Sequence, residues 1–195
     1  MAKRIAIIQG HPDPRGNHYG HALAEAYAKG AAEAGHEIRV VDVARLNFPL
    51  LHTKEDFEHG VLPDAIRQAQ ETIRWAGHLV IVFPLWGGSM PALLKGFLEQ
   101  VFRPSFVGDQ AGVGKSWKRP LKGKTARIVV TMGMPALIYR WYFGAHGVKS
   151  LKRSILAFCG IGPINVSLIG MIEAPDGTRR QKWLGKMQGF GRAGA

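Results

Sequence analysis

The stretch LVIVFPLWGGSMPALLKGFLEQVF, residues 79–102, changes its pattern twice. Its first five residues are apolar and largely β-branched, which predicts a strand that is buried on both faces. After a short segment with a proline and two glycines, apolar residues recur at helical spacing, and Pro91 suits the first turn of a helix. The stretch therefore predicts a strand, a glycine loop and a helix, in that order.

The same alternation of strands and helices runs through the rest of the chain. Strands are predicted at 4–8, 37–41, 79–83, 126–131 and 165–169, and helices at 19–34, 63–75, 91–102, 148–158 and 178–187. Strands that alternate with helices form parallel sheets through right-handed crossovers. We therefore expect an α/β fold with a doubly wound, five-stranded parallel sheet and helices on both faces. One domain is expected over 1–195, with a frayed tail at about 188–195.

Composition narrows the classes of protein that this chain can belong to. Its 195 residues, 46% of them hydrophobic, suffice for one sizeable core. The absence of a membrane-length apolar segment or a signal-peptide core predicts a cytoplasmic protein that is not membrane-embedded. The net charge of +12 suits nucleic acids, anionic surfaces or phosphates, but without a nucleic-acid module we expect no nucleic-acid partner. With Cys159 as the single cysteine, we expect a small buried side chain and no metal site.

Ligands of open parallel sheets bind outside the carboxyl ends of the strands, so three loops are candidates. The first, GHPDPRGNHYGH at 10–21, leads into a predicted helix whose N-terminus favours an anion. Arg15, His18 and the amide of Asn17 add hydrogen-bond donors, which together predict a phosphate site. The alternative is that the prolines and glycines merely form a turn.

The second and third loops supply flat surfaces and aromatic side chains. Gly87 and Gly88 allow a close backbone approach, and Trp86 can form an aromatic wall for a flat ligand. The alternative is a core aromatic residue followed by an ordinary loop. The third loop, TMGMPALIYRWYFGAHG at 131–147, is rich in aromatic residues and contains His146. A single histidine is more often structural than catalytic, so the pattern alone assigns it no role.

Two strings imitate nucleotide-binding motifs. GVGKS at 112–116 lacks the glycine that a phosphate-binding loop needs at position 109, where Asp109 stands. GFGRAG at 189–194 has the spacing of a dinucleotide-binding motif but no predicted strand before it and no helix after it. Neither string predicts a nucleotide site.

The segment FPLWGGSMPALLKGFLEQVF resembles the P-L-x-x-x-x-x-P-A-x-L-K-G signature of the flavodoxin-like NAD(P)H:quinone oxidoreductase family, which includes the DT-diaphorase and modulator-of-drug-activity group. The segments GHPDPRGNHYGHAL, TMGMP and ILAFCGI fall in the family's order, so the resemblance covers about residues 3–172. It implies a flavodoxin-like sheet with strand order 2-1-3-4-5. It also implies two-electron reduction of quinones or similar acceptors by NAD(P)H through a bound flavin.

The resemblance assigns roles by position. It implies that the flavin phosphate site is lined by His11, Arg15, His18 and Tyr19, and that the isoalloxazine ring passes along Pro84, Leu85, Trp86, Gly87 and Gly88. It places Thr131, Gly133 and Met134 near the polar edge of the ring. Tyr139 and His146 stand where the family has a tyrosine and a histidine that stabilise charge on the reduced flavin. A homodimer with the site at its interface is also implied.

The sequence departs from the family in two places. Many members have a second aromatic residue where Gly87 or Gly88 stands, and an asparagine common in the first loop is replaced near Gly20. These departures leave the choice between FMN and FAD open, and FMN is favoured because the chain ends soon after the fifth strand. Neither the acceptor nor the preference between NADH and NADPH is specified.

Other function classes also fit parts of the pattern. The first is an accessory or regulatory subunit, for example of a potassium-efflux system, in which flavin binding matters more than turnover. The second is an electron carrier, which the strongly basic charge disfavours. The third is a nucleic-acid binder, for which a steep salt dependence of DNA affinity is the diagnostic.

Overall fold

The computed structural model describes residues 1–107, 119–175 and 177–195, so the string at 112–116 lies outside the described residues. The strands are β1 Arg4–Gln9, β2 Glu37–Asp42, β3 His78–Pro84, β4 Thr125–Thr131 and β5 Ile164–Ile169. They form one sheet in the order β2-β1-β3-β4-β5, and every neighbouring pair is parallel. The predicted α/β fold class and its strand order are confirmed.

Helices connect the strands on both faces of the sheet. They are α1 Tyr19–Glu33, α2 Lys54–Glu58, α3 Asp64–Trp75, α4 Ala92–Val101, α5 Pro104–Val107, α6 Ala136–Trp141, α7 His146–Lys149 and α8 Gly177–Ala193, with a 3₁₀ turn at Val43–Arg45. Helix α7 continues as a wider π-helical segment, Ser150–Ala157. The short helices α2, α5 and α6 were not predicted, because four to six residues hold too little of the helical period to detect. Within the described ranges, no helix is long and apolar enough to span a membrane.

The core lies on both faces of the sheet. On one face α1 and α8 cover Ile5, Ile7, Val80 and Val82, and on the other face a second cluster includes their sequence neighbours along the same strands. Strand β3 is buried at every position because it lies in the middle of the sheet and is covered on both sides. Cys159 is buried in the second cluster, and burial raises the pKa of its thiol to about 11.

The C-terminal residues differ from the prediction. Helix α8 continues to Ala193, and its backbone packs directly against that of α1. A Cβ atom at Gly191 would lie 2.1 Å from the carbonyl oxygen of Tyr27. Arg127 Nε donates to the carbonyl of Ala195 at 2.7 Å. The predicted frayed tail at 188–195 is therefore wrong, because Gly191 lets α8 pack closely on α1.

Candidate active site

The three candidate loops leave the sheet side by side. The Gly10 amide donates to the carbonyl of Val82 at 2.7 Å, which joins the first loop to β3. The Leu85 amide donates to the carbonyl of Thr131 at 2.8 Å, which joins the second loop to β4. The carboxyl edge of the sheet therefore brings the loops at 10–18, 84–91 and 132–146 together, as the parallel arrangement predicted.

An acidic residue orders the first loop. Asp13 accepts bonds from Arg15 Nη2 at 2.6 Å and Arg15 Nε at 2.9 Å, and its carboxylate contacts His18 Nε2 at 2.8 Å. These hydrogen bonds hold the pKa of Asp13 well below its usual range. The predicted phosphate role would place the guanidinium of Arg15 toward His11. Instead, the guanidinium is exposed and pairs with Asp13.

His11 is buried at the centre of this edge. Its ring stacks on that of His18 with centroids 3.9 Å apart, and its Nδ1 accepts the Asp13 amide at 3.1 Å. Burial, followed by the charges of His18 and His21, lowers the pKa of His11 to about 4. The ring is therefore neutral near pH 7 and carries its hydrogen on Nε2, which has no partner among the described residues.

The backbone beside His11 presents a run of spare donors. The amides of residues 16–20 make no hydrogen bond within the described ranges. Gly16 has a left-handed φ of +76°, which turns the chain into α1, and no side chain caps that helix. Unpaired amides at a helix N-terminus form an anion site, and no acidic residue lies in the first turn.

Tyr19 differs from its predicted role. Its hydroxyl donates to the carbonyl of Arg180 in α8 at 2.9 Å, and burial raises its pKa to about 12. The side chain therefore links α1 to α8. Toward the first loop, Tyr19 contributes only its backbone amide.

The second loop is a tight hairpin turn. Trp86 and Ser89 exchange two backbone hydrogen bonds, at 2.9 and 3.0 Å. Gly87 and Gly88 between them have φ values of +54° and +78°, the left-handed pair of a type I′ turn. A Cβ atom on either glycine would meet no atom within 4 Å, so the turn faces open space.

One aromatic residue joins the first two loops. The indole of Trp86 is 53% exposed and lies edge-on to His11, with ring centroids 6.2 Å apart. Pro84 and Leu85 precede it at the end of β3, the first buried and the second half-buried. The predicted ring-binding segment thus runs from buried Pro84 to the exposed indole of Trp86 beside the first loop.

The third loop is fixed to the glycine turn. Tyr139 is buried, its hydroxyl donates to the carbonyl of Gly88 at 3.1 Å, and burial raises its pKa. A Cβ atom at Gly147 would lie 2.6 Å from the same carbonyl oxygen, so the start of α7 also packs on this turn. His146 is exposed, and no contact joins it to Tyr139 in the described part of the chain. The structure brings Tyr139, but not the His146 ring, against the second loop.

The remaining predicted residues lie at the end of β4. Thr131 is buried, whereas Gly133 and Met134 are exposed just beyond the strand. The Gly133 amide has no partner among the described residues, and the carboxylate of Glu173 lies 3.8 Å from the position of a Cβ on this glycine. Glu173 was not predicted, because it follows β5 and no motif marks it.

Sequence reasoning also gave no role to Asp13 and His21. His21 is buried 5.2 Å from His11, centroid to centroid, and neither of its ring nitrogens has a partner in the described ranges. Burial lowers its pKa. The signal for both was the density of titratable groups in HPDPRGNHYGH. The described residues hold no group of three metal-ligating side chains arranged for a metal ion.

Comparisons with known proteins agree with this architecture. A family model described as a flavodoxin-like fold matches residues 3–188. An uncharacterized NAD(P)H oxidoreductase of Haemophilus influenzae is 29% identical over 187 residues, covering 90% of this chain and 87% of that protein. The ribosyldihydronicotinamide dehydrogenase [quinone] of Pongo abelii is 28% identical over 183 residues, covering 81% and 77%.

A solved structure extends the match over the whole chain. The FMN-dependent NADH-azoreductase of Bacillus anthracis, in complex with FMN, covers 100% of both chains with a TM-score of 0.74 at 17% identity, which shows a shared fold. The prediction of an oxidoreductase agrees with the names of these relatives. On the family match and these relatives, the chain belongs to the flavodoxin-like fold family, in the group of NAD(P)H:quinone oxidoreductases that its sequence resembles.

Proposed function

We propose that this protein is a flavin-dependent NAD(P)H oxidoreductase that reduces quinones or similar electrophilic acceptors by two-electron, ping-pong hydride transfer. The observation that carries the proposal is the pairing of spare backbone amides at 16–20 with the open turn at Gly87 and Gly88. The relatives named as NAD(P)H oxidoreductase and quinone dehydrogenase support the same reaction class.

The first loop fits the phosphate of a flavin nucleotide. The amides of residues 16–20, at the start of α1, and the Nε2–H of neutral His11 are donors without a partner among the described residues. His18 is held there by Asp13. Because this set contains hydrogen-bond donors and a helix dipole, it suits an anion that carries its own acceptors.

The second and third loops fit a flat heteroaromatic ring. The amides of Gly87 and Gly88 have no partner among the described residues, and a Cβ on either glycine would meet open space, so a ring's carbonyl and nitrogen atoms can approach this turn and accept hydrogen bonds. The exposed indole of Trp86 supplies an aromatic wall between this turn and His11. The spare amide of Gly133 adds a donor at the end of β4.

A bound flavin would accept hydride from NAD(P)H and pass two electrons to the acceptor in a second step. The protein's part is to orient the reactants and to stabilise the charge that develops at the ring's polar edge. Tyr139 is held at the glycine turn by its bond to Gly88, and we assign it, together with His146, the role of stabilising the charge that a bound flavin would develop there. His146 is exposed, which suits exchange of a proton with the acceptor.

FMN is the proposed form of the flavin. The described donors form one phosphate site at the start of α1, which suffices for a mononucleotide. The azoreductase that shares this fold was solved with FMN, so the fold accommodates that nucleotide.

A homodimer is also proposed, with the site at its interface. One side of α6 and the residues after it exposes Ile138, Tyr142 and Phe143, which are 46%, 83% and 49% exposed. Adjacent exposed aromatic residues beside a candidate site are typical of an interaction surface.

The test is spectroscopic. Protein incubated with FMN and desalted should retain absorbance near about 370 and 450 nm. Anaerobic NADPH should bleach these bands, and a quinone should restore them. Absence of flavin binding after reconstitution would overturn the proposal.

A matched pair of variants locates the flavin. Gly88→Val and Gly35→Val both place a β-branched residue at nearly the same left-handed φ, +78° and +76°, with no atom near the new Cβ. Gly88→Val should weaken FMN binding by about 10-fold or more, since it covers the turn, whereas Gly35→Val should retain FMN despite similar backbone strain. Equal losses in both variants would contradict the assigned position.

A further inference from the structure

A second concave surface adjoins the third loop. It is a cavity of about 820 Å³ between α6, the start of α7 with its π-helical extension, and the outer side of β5. The residues that line it are Ala136, Leu137, Arg140, Trp141, Gly144, Ala145, Val148, Lys149, Lys152, Arg153, Val166 and Leu168. We call this surface the basic groove. Its volume lies within the range of small-molecule sites.

The charge of the basic groove is uncompensated. Arg140, Lys149, Lys152 and Arg153 contribute four cations, and no carboxylate is among the lining residues. Within the described ranges, none of the four makes a hydrogen bond or ion pair, although most other arginines and several lysines are paired. Clustered unpaired cations in a concave site favour an anionic ligand.

The floor and wall of the groove are apolar. Leu137 and Trp141 are 68% and 75% exposed, and Val166 of the edge strand is also open to solvent. Arg140 lies over the indole of Trp141 at 5.5 Å. Phosphates suit the cations and a planar base suits the indole, so the groove fits a nucleotide better than it fits a simple inorganic ion.

The groove and the candidate active site share helix α6. Helix α6 carries Tyr139 against Gly88 on one side, and Leu137, Arg140 and Trp141 in the groove on the other. Ile138, Tyr142 and Phe143 of the proposed dimer surface are not among the residues that line the groove. The phosphates and adenosine of a nicotinamide dinucleotide lie at a distance from its reacting ring, so a surface next to the active site can bind them.

We infer that the basic groove binds the phosphate-bearing adenosine end of the nicotinamide donor. This inference rests on the proposed function. It also decides between two kinds of donor that the names of the relatives distinguish, NAD(P)H and ribosyldihydronicotinamide. The latter has neither phosphate nor adenine and would leave all four cations unused, so this chain is specific for the phosphorylated donor.

The experiment uses the FMN-loaded protein. The groove variant is Lys149→Gln with Lys152→Gln, and the control is Lys29→Gln with Lys122→Gln, which removes two exposed lysines outside the groove. Flavin bleaching is followed by stopped flow at increasing concentrations of NADPH or of dihydronicotinamide riboside. The concentration of NADPH at half-maximal rate should rise by about 10-fold or more in the groove variant only, with the maximal rate unchanged.

The tailless donor separates this inference from the proposed function. Its kinetics should be the same in the wild type, the groove variant and the control. An unchanged NADPH dependence in the groove variant, or an equal change for both donors, overturns the groove assignment while the oxidoreductase proposal stands. If neither donor bleaches the wild type, the proposed function itself fails.

A salt series and a vesicle assay complete the test. The NADPH advantage of the wild type should shrink as ionic strength rises, because exposed cations are screened. Sedimentation with vesicles that contain anionic lipid tests the competing occupant. Loss of vesicle binding in the groove variant, with unchanged NADPH kinetics, would assign the cations to a membrane surface and overturn the inference.

Discussion

The two ends of the sheet differ in how many of their backbone polar groups have hydrogen-bond partners. At the amino end, Lys124 Nζ donates to the carbonyls of Arg74 and Ala76, and Lys3 Nζ donates to the carbonyl of Gly194 at 2.8 Å. At the carboxyl end, the amides of residues 16–20 and of Gly87, Gly88 and Gly133 have no partner among the described residues. His78 Nε2 at the amino end is buried without a partner, but the spare backbone donors lie together at the carboxyl end and mark the place for a ligand.

Backbone packing near the amino end offers the largest expected effect. Gly191→Ala places a Cβ 2.1 Å from the carbonyl oxygen of Tyr27, so α1 and α8 must separate. We expect a loss of about 3 kcal/mol in the free energy of unfolding, measured by urea denaturation, with FMN affinity unchanged in the folded fraction.

The matched control is Gly189→Ala on the same helix. No atom lies within 4 Å of its new Cβ, so the higher helix propensity of alanine should raise stability by up to about 1 kcal/mol. Equal effects of the two substitutions would show that the helices do not pack as described.

Acidification should lower the free energy of unfolding through His78 at the amino end of the sheet. This residue is buried, its Nδ1 contacts Thr125 Oγ1 at 2.6 Å, and burial followed by the charges of Lys3 and Arg127 lowers its pKa from 6.5 to about 4. The unfolded chain therefore binds the proton first, and stability is lost as pH falls from about 6.5 to 4. The expected contribution is about 2–3 kcal/mol between pH 7.5 and 4.5.

The measurement is urea unfolding of the wild type and His78→Asn at both pH values. The variant should be less stable at pH 7.5 but should lose less on acidification, because its side chain does not titrate. Equal losses in both proteins would remove His78 from the acid response.

Tyr139→Phe sharpens the comparison from the carboxyl end. The substitution removes one hydrogen bond to Gly88, which should cost about 1 kcal/mol in unfolding free energy. If the hydroxyl also stabilises charge near the flavin ring, the rate of bleaching by NADPH should fall while FMN affinity changes little. A stability loss without any rate change would leave Tyr139 as a positioning residue for the glycine turn.

The smallest effect is expected for Arg15→Gln. Because its exposed guanidinium is committed to Asp13, we expect FMN affinity to change by no more than about 3-fold in a fluorescence titration. A loss as large as that of Gly88→Val would restore the phosphate role that the sequence predicted.

Much of the fold follows from local patterns. The apolar run of β3 predicted a strand covered on both faces, and the parallel order predicted that the loops after β1, β3 and β4 would meet. Helix α6 was not predicted. Different residues among its six face the glycine turn, the basic groove and solvent, so no apolar stripe of helical period is formed.

The side-chain details of the site depended on distant partners. The hydroxyl of Tyr19 bonds to a carbonyl 161 residues away in α8, which no pattern near Tyr19 signals. Arg15 pairs with Asp13 two residues away in an irregular loop, where no periodic pattern indicates which side chains meet. The backbone donors were easier to predict, because glycines and the start of a helical pattern can be recognised in the local sequence.

Hydrogen–deuterium exchange with and without FMN tests the central claim most directly. If the spare amides at the carboxyl end hold the flavin, FMN should slow exchange at 16–20, at Gly87 and Gly88, and at Gly133, while the amino end of the sheet is unchanged. FMN that binds without protecting these amides, or that protects the amino end instead, would contradict the account.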